Sequence, residues 1–395
     1  FNYEHMLELL KAIGISAVHF HHAIGLDSKL LQLSTDLSVA RLITTHDYYW
    51  LFGNPTLTDE EGNYPGFYSD QIHNPLYRLP HGMTVKAWQE PLHSFFEGAD
   101  CVIFPSCSTK IIFDNVYNPD KSVVAPHVEP HINVNTSPIN FVQRDVYTIG
   151  VLGALGKEKG ADTLEEMATK AKEAGLKFNF KVIGYAYRPL KLVEKTGPYE
   201  TKELKDLIKE HQLDILLFTA QWPETYSYTL SYALDSGLPI IAPNIGAFPE
   251  RLSGRTNVVL FNHLNPVSEL LDKLNTFVEQ MSKNIVVKAP VFENDISKHD
   301  FYKHEYTNMV SCDLKFTEIS KQSPFHIDPT WIVAQGFMNK NSSWRNAIIH
   351  VLWRLCMSPY LRWFTNAIPL SVKRAFRHAL CAGNSHEIAR GAKDK

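Results

Sequence analysis

Two glycine-containing segments place charged side chains beside backbone that can approach a ligand closely. The segment "GALGKEKGAD" (153–162) joins an apolar run to a helix-like stretch and contains three glycines and two lysines. Backbone N–H groups at a helix N-terminus form an anion site with a nearby lysine, so a phosphate or pyrophosphate is the expected ligand. A tight turn with a surface lysine explains the pattern equally well. The Walker A order GxxxxGK[ST] is absent from the sequence.

The segment "WPETYSYTL" (222–230) places Glu224 in the first turn of an apolar, helix-like run. A carboxylate there complements the helix dipole, typically by about 0.3–1 kcal/mol. The alternative role is a hydrogen-bond acceptor for sugar hydroxyls. "NIGAFPE" (244–250) follows the next strand, where Gly246 permits close backbone approach and Glu250 begins another helix. An ordinary glycine turn with a capping acid is the simpler interpretation of that segment.

Histidines follow two predicted strands in the first half of the chain. "HFHH" and "TTHDYYW" place His21, His22, His46 and Asp47 near strand ends. A metal site would be supported by a spacing such as HExxH, and no comparable spacing is present. A lone histidine is more often structural, and His46, next to Asp47, is the strongest functional candidate of this group.

Short apolar runs alternate with helix-like stretches, which is typical of parallel sheets covered by helices. The predicted strands are 16–22, 40–47, 100–106 and 121–127, then 146–153, 177–184, 214–220, 238–244 and 257–262, with helices near 201–211, 225–236 and 266–281. Such folds bind ligands at the carboxyl ends of the strands. The loops after Gly153, Gly184, Ala220 and Asn244 are therefore expected to share one rim.

Composition indicates an ordinary globular protein of two domains, with 395 residues, 44% of them hydrophobic. The net charge of -3 argues against general nucleic-acid binding. Five scattered cysteines form no CxxC pair, which favours a reducing compartment without disulfides or zinc. No apolar run of about 18 residues predicts a membrane span. We therefore expect a soluble, cytoplasmic protein. The chain begins at Phe1 without a methionine, so we also expect it to be part of a longer polypeptide.

Several segments together resemble glycosyltransferase family 4, and most closely the group 1 transferase modules of bacterial surface-polysaccharide synthesis. They are "VHFHH", "TTHDYYW", "YTIGVLGALGKEKGADTL", "VIGYAYR", "TGPY" and "WPETYSYTLSYALDSGLPIIAPNIGAFPERL". The likeness runs from about residue 17 to residue 311, and its most specific block is 221–251. It implies an α/β fold of the GT-B type, with two Rossmann-like domains whose parallel sheets face a cleft. It also implies retaining sugar transfer, with no required metal and no cofactor other than the nucleotide-sugar substrate.

The resemblance implies roles for individual residues. Lys159 should meet the donor diphosphate, Glu224 should hydrogen-bond the donor sugar, and His46 should reach the sugar from the opposite domain; these are the predicted catalytic residues. The predicted donor-binding residues are Gly153, Ala154, Gly156, Gly184, Tyr226, Tyr228, Tyr232, Gly246, Ala247 and Phe248. The predicted acceptor-side residues are His21, His22 and Asp47. No metal ligands are predicted.

The sequence departs from the family pattern at two site positions. Ala154 stands where the family commonly has an arginine in the phosphate loop. Tyr232 replaces the second glutamate of the E-x7-E pair, which typically holds the nucleotide ribose. A tyrosine offers one phenolic hydroxyl where a carboxylate accepts from two ribose hydroxyls at once. Weak donor binding, an unusual donor or a module that has lost catalysis would each follow from this change.

The resemblance also predicts the domain boundaries. Residues 1–135 form a truncated N-terminal, acceptor-side domain, because a whole GT-B domain has further strands before "SAVHFHH". Residues 136–297 form the donor-binding domain, 298–313 a helix that crosses back to the first domain, and 314–395 a linker and basic amphipathic helical tail.

The tail differs from the rest of the chain in charge. Residues 331–395 hold ten Lys and Arg against two Asp and Glu, a net charge of +8. The segment 344–380 can form cationic amphipathic helices that lie on an anionic membrane, each basic residue contributing about 1 kcal/mol. A terminal helical pair packed on the catalytic domains is the other interpretation.

The leading hypothesis is a retaining hexosyltransferase that moves a sugar from a nucleotide-sugar donor to a growing bacterial surface glycan, such as O-antigen or capsule. The expected acceptor is an oligosaccharide or lipid-linked glycan, and the expected location is the cytoplasm, peripheral on the inner face of the plasma membrane. The first alternative is a non-catalytic GT-B scaffold or glycan-binding module of a larger synthase. The second is a sugar-nucleotide epimerase.

Overall fold

The structure is a computed structural model that describes residues 3–23, 27–59, 61–67, 84–129, 132, 141–293 and 300–310. All of the predicted site residues fall within these ranges. The predicted basic tail, including the segment 344–380, lies outside the described residues.

The described residues form short parallel strands that alternate with helices. The strands are β1 (Ala17–Phe20), β2 (Ala40–Thr44), β3 (Cys101–Phe104), β4 (Ser122–Val124), β5 (Tyr147–Leu155), β6 (Phe178–Ala186), β7 (Val193–Lys195), β8 (Ile215–Leu217), β9 (Ile240–Pro243) and β10 (Val258–Phe261). The α-helices are α1 (Tyr3–Ile13), α2 (Leu33–Leu37), α3 (Tyr49–Phe52), α4 (Val85–Glu97), α5 (Cys107–Asp114), α6 (Ala161–Glu173), α7 (Leu204–Glu210), α8 (Tyr228–Ser236), α9 (Phe248–Arg251), α10 (Val267–Ser282) and α11 (Thr307–Val310). A π-helical turn, Tyr302–Tyr306, precedes α11.

The strands form two sheets. The first has four strands in the order β1-β2-β3-β4, and its register aligns Leu42 with Cys101 and Val102 with Ser122. The second has six strands in the order β10-β9-β8-β5-β6-β7. All of its neighbouring strands are parallel, so the loops that follow them emerge at one edge.

The second sheet has a core on each face. One face packs against α6 and α10, whose buried side chains include Leu164, Met167, Leu274 and Phe277. The other face packs against α7 and α8. The strands between them are rich in buried Val, Ile and Leu, which is what a sheet covered on both faces requires.

The chain divides into two compact units. One consists of the described parts of residues 1–18, 23–40 and 308–395, and the other of residues 19–22 and 41–307. In the first unit, Tyr3 Oη donates to Asp36 Oδ2 over 2.7 Å and Ser16 Oγ donates to the Val310 carbonyl over 2.6 Å. All of the predicted site residues belong to the second unit. The predicted domain boundaries stay predictions.

The predicted fold class, α/β with two parallel sheets, is confirmed, and each predicted strand overlaps an observed one. β7 was not predicted, because Val193–Lys195 is a short strand at the edge of the sheet and has one buried residue of three. Within the described part of the chain, no helix is both long and apolar enough to cross a membrane.

Candidate functional site

Lys159 and Glu224 lie together at the centre of the second sheet. The chain runs from β5 outward through β6 and β7, then returns to place β8 on the other side of β5. The loops after β5 and β8 therefore diverge at the point where ligands bind in such sheets. Lys159 follows β5, Glu224 follows β8, and Lys159 Nζ lies 3.8 Å from Glu224 Oε1.

The sequence pattern predicted that Glu224 lies in the first turn of a helix, and this prediction is wrong. α8 begins at Tyr228, four residues later, after Ser227 in a left-handed conformation. The main chain of Glu224 donates to the Trp222 carbonyl and accepts from the Ala247 amide over 2.8 Å. Its side chain is only 9% exposed. Glu224 is therefore not placed by the first turn of a helix; the neighbouring glycine loop holds its main chain.

Glycines permit these loops to approach one another. Gly246 has a φ of +58°, and a Cβ there would lie 2.6 Å from the main-chain N and O of Glu224. Gly160 has a φ of +75°, and a Cβ there would lie 1.9 Å from the Thr219 carbonyl oxygen. Any other residue would move the loops that carry Glu224 and Lys159.

The remaining predicted donor residues line the same edge of the sheet. Gly153 and Gly184 are partners in the β5–β6 register, and Ala154 is exposed beside them. Gly156 precedes the turn at 157–160, which contains Lys159. Ala247 and Phe248 are fully buried, and the Ala247 amide donates to the Glu224 carbonyl.

The three tyrosines of the β8–α8 region differ in environment. Tyr228 is 53% exposed, whereas Tyr226 and Tyr232 are buried. The Arg251 guanidinium lies 3.9 Å from the centre of the Tyr226 ring and donates to the carbonyls of Tyr226 and Ser227 over 2.7 Å. Arg251 thus holds the backbone that leads into α8.

Four histidines form a column of ring contacts on the edge of the first sheet, tilted between His19 and His21 and stacked in the other two pairs. Ring centroids are 4.0 Å apart for His19 and His21, 5.1 Å for His21 and His46, and 5.1 Å for His46 and His127. His21 Nδ1 and His46 Nε2 are hydrogen-bonded at 2.8 Å. His22 Nε2 separately pairs with Asp47 Oδ2 at 2.7 Å.

Burial keeps the column uncharged at neutral pH. It lowers the pKa of His19 and of His127 to about 4, with smaller contributions from neighbouring histidines. Burial likewise lowers the pKa of His21 and of His46. Each neutral ring offers one donor and one acceptor nitrogen, which suits hydroxyl groups.

Contacts between the two loop edges bring the column close to Glu224. Thr225 Oγ1 donates to the His46 carbonyl over 2.6 Å, and Tyr48 Oη donates to the Pro223 carbonyl over 2.8 Å. The sequence suggested Glu250 as a capping acid, but the N-cap of α9 is Ala247, without a side-chain hydrogen bond. Glu250 Oε2 instead accepts from the amide of Cys107, the first residue of α5, over 2.9 Å. Burial raises the pKa of Glu250, while these α5 hydrogen bonds oppose the shift.

The structure adds residues that the sequence did not indicate: His19, His127, Arg251 and Glu129. His19 was part of the quoted "HFHH" segment, and Arg251 is a charged residue in an apolar stretch, so both carried a weak signal. His127 and Glu129 follow β4 and had none. Among the described residues, no cluster of three or more His, Cys, Asp or Glu side chains could hold a metal ion.

Solved structures of similar fold are known, although no protein-family model and no curated protein sequence matches this chain. The sucrose-phosphate synthase of Thermosynechococcus elongatus matches with 14% identity over 71% of this chain and 69% of that chain, at a TM-score of 0.47. TarM matches with 14% identity over 78% and 57%, at a TM-score of 0.49. The pneumococcal O-GlcNAc transferase GtfA, in complex with UDP and GlcNAc, matches with 13% identity over 71% and 53%, at a TM-score of 0.44.

The chain thus spans little more than half the length of TarM, at 57%, and of GtfA, at 53%.

Proposed function

We propose that this chain is a retaining glycosyltransferase of the family 4 type, which transfers a sugar from a nucleotide-sugar donor to a growing bacterial surface glycan. The observation that carries the proposal is the pairing of Lys159 with the buried Glu224 at the β5–β8 switch point, 3.8 Å apart. A cation and a carboxylate acceptor in one crevice match a ligand that carries both phosphate and hydroxyl groups.

Lys159 would stabilise the departing diphosphate. Negative charge grows on the bridging oxygen as the bond to the anomeric carbon breaks, and a cation already in place lowers that barrier. The side chain of Lys159 is 39% exposed, so it can turn from Glu224 toward a bound phosphate. Charge supplied in this way makes a metal ion unnecessary, and turnover should survive treatment with a chelator.

Glu224 would orient the sugar ring. Among the described residues its carboxylate has the ion pair with Lys159 and no hydrogen bond, so its oxygens can accept from sugar hydroxyls. Hydrogen bonds that fix the sugar ring also orient the anomeric carbon for attack, which lowers the entropic part of the barrier. A carboxylate with little solvent contact forms stronger hydrogen bonds than an exposed one.

His46 and His21 would contact the sugar and the acceptor from the first sheet. The acceptor hydroxyl oxygen bonds to the anomeric carbon on the face that the diphosphate leaves, the bond to the diphosphate oxygen breaks, and the hydroxyl proton passes to that oxygen. Neutral imidazoles suit this side because they donate and accept without repelling or attracting the diphosphate. The acceptor would be an oligosaccharide or lipid-linked glycan at the cytoplasmic face of the membrane.

The test is release of nucleoside diphosphate from UDP-, GDP- and dTDP-sugars by the purified protein, with candidate acceptors present. We expect release from one donor, and a fall of about 100-fold to 1,000-fold in Glu224→Gln, the range seen when a group that binds the transition state is removed. Glu210→Gln, at the exposed end of α7, is the matched control and should keep full activity.

A well-folded protein that releases no diphosphate from any donor would overturn the proposal. That result would favour the scaffold alternative, because a tyrosine at position 232 leaves the expected donor site without its second family carboxylate. Conversion of the free donor into a second sugar nucleotide, without acceptor glycosylation, would identify an epimerase instead.

A further inference from the structure

Glu129 is a half-buried carboxylate on the segment after β4, and it contacts the region at the start of α8. Its Oε2 accepts from Tyr226 Oη over 2.9 Å and from Ser231 Oγ at short distance. Among the described residues, no donor reaches Oε1. Ser231 lies on α8 next to Tyr232. The Glu129 carboxylate is therefore close to position 232, where this sequence has a tyrosine in place of a glutamate.

Arg251 fixes Glu129 in place through Ser231. Its guanidinium donates to Ser231 Oγ over 2.8 Å, which leaves the single serine hydrogen for Glu129 Oε2. The same guanidinium covers the ring of Tyr226, the other donor to Glu129. Both hydrogen bonds therefore use the same oxygen, and within the described part of the chain the other oxygen, Oε1, receives no hydrogen bond.

An aromatic surface adjoins this oxygen. The rings of His127 and Tyr228 are parallel, with an interplanar angle of 7° and centroids 5.4 Å apart, and Tyr228 is 53% exposed. α8, which carries Tyr228, approaches the end of β5, since a Cβ on Gly153 would be 3.2 Å from Thr229 Cγ2. A carboxylate acceptor beside an aromatic face is suited to a ring that carries neighbouring hydroxyls.

The tyrosine at 232 cannot supply an equivalent acceptor. Burial raises the pKa of Tyr232, and the charge of Glu129 raises it further. The phenol therefore stays protonated, and its only acceptor site is that of a neutral hydroxyl. The Glu129 charge acts in the same direction on Tyr228, where burial is again the larger cause of the raised pKa.

We propose that Glu129 Oε1 binds the 2′- and 3′-hydroxyls of the donor ribose, and that this residue replaces the carboxylate absent from position 232. The inference rests on the proposed function, because it assumes a nucleotide donor in this crevice. One carboxylate oxygen has two lone pairs and accepts from both hydroxyls of a vicinal diol. Glu129 thus selects ribonucleotides over deoxyribonucleotides.

The experiment measures binding of UDP and GDP, and of their 2′-deoxy analogues, to the purified protein by calorimetry. We expect the native protein to bind its ribonucleoside diphosphate about tenfold more tightly than the deoxy analogue, as for one hydrogen bond to a charged group. In Glu129→Gln the ratio should fall to about one or two, because an amide is a weaker acceptor. Glu210→Gln, remote from the crevice, should keep the native ratio.

Two further variants separate recognition from structure. Glu129→Asp keeps the charge but withdraws it by one methylene, and should lower the ratio while melting at the native temperature. Glu129→Gln combined with Tyr232→Glu should restore the ratio. An unchanged ratio in Glu129→Gln, or no preference in the native protein, would overturn the inference while nucleotide binding still supports the proposed function. Absence of any nucleotide binding by the native protein would overturn both.

Discussion

The loop edges of the two sheets differ in charge. The edge of the six-stranded sheet carries ionic side chains, namely Lys159, Glu224, Glu250 and Arg251, placed by loops that depend on glycine. The edge of the four-stranded sheet carries a column of neutral histidines. The two edges therefore differ in the ligand groups they can meet, ionic side chains on one and neutral imidazoles on the other.

Burial explains why the two edges differ. A charge removed from water is costly unless it is paired or hydrogen-bonded. On the six-stranded sheet, Lys159 pairs with Glu224, and Glu250 receives the Cys107 amide. The imidazoles of the column have neutral hydrogen-bond partners instead: His19 bonds to the hydroxyls of Tyr306 and Thr44, and His21 bonds to His46. Substitutions at the charged edge, at the contact between the edges and at the neutral edge should have progressively smaller effects.

Gly246→Ala should give the largest effect. A Cβ at 2.6 Å from the main-chain N and O of Glu224, on a residue with φ of +58°, must displace the Glu224 loop. We expect the free energy of unfolding to fall by about 2–5 kcal/mol, from left-handed strain of about 1–2 kcal/mol and a collision cost of about 1–3 kcal/mol. Denaturant unfolding measures this loss, and donor turnover should fall with it.

Gly175→Ala is the matched control. Gly175 has a φ of +66°, and a Cβ there would meet nothing within 4 Å, so only the strain of about 1–2 kcal/mol remains. Turnover should be native. Equal losses of stability in the two variants would show that the Gly246 contact does not constrain Glu224.

Tyr48→Phe removes a hydrogen bond that joins the two loop edges. The buried Tyr48 hydroxyl donates to the Pro223 carbonyl next to Glu224, and its removal leaves that carbonyl without the bond, at a cost of about 1–2 kcal/mol. Turnover should fall about tenfold, because small displacements of a catalytic group are costly. Chemical denaturation and initial rates measure the two effects.

Tyr117→Phe separates stability from catalysis. Tyr117 is also buried, and its hydroxyl donates to the Trp50 carbonyl over 2.6 Å, within the first half of the chain. The stability loss should be similar and the rate within about twofold of native. A tenfold rate loss in both variants would mean that the Tyr48 contact has no special role in positioning Glu224.

The neutral edge should give the smallest effect, seen in the pH dependence of thermal stability. Burial lowers the pKa of His127 from 6.5 to about 4, so between these values the unfolded state binds more protons than the folded state. The contribution of the neutral His127 to stability is therefore fully present above about pH 6.5, and it is lost as the pH falls toward about 4. His127→Asn should make the melting temperature depend less steeply on pH across this window, while His19, His21 and His46 still contribute.

His304→Asn, on an exposed position, should leave the native pH profile unchanged. A profile for His127→Asn as steep as that of the native protein would contradict a buried, neutral His127.

Much of the fold follows from local sequence. The predicted strands were confirmed because runs such as Ile149–Leu152 and Ile240–Ala242 are apolar enough to be buried on both faces of a sheet. The glycine loops were also indicated, since left-handed backbone at Gly153 and Gly246 favours glycine. The edge strand β7 lacks such a run and was missed.

The start of α8 shows where local patterns fail. The apolar spacing around Glu224 suggested a helix from that residue, yet Ser227 adopts a left-handed conformation and the helix begins at Tyr228. The Glu224 main chain is instead bonded across to Ala247, on the next loop. A tertiary hydrogen bond replaced the local helical one, and a single segment carries no information about it.

By itself, the sequence determined the α/β architecture and the loops that carry Lys159, Glu224 and His46, because these depend on burial and backbone freedom within a few residues. Only the tertiary structure decided that Glu129 meets Tyr226 and Ser231, 97 and 102 residues away, and that four histidines form one column. Such contacts depend on strand order and on how the loop edges meet, and their distances are set by the whole chain.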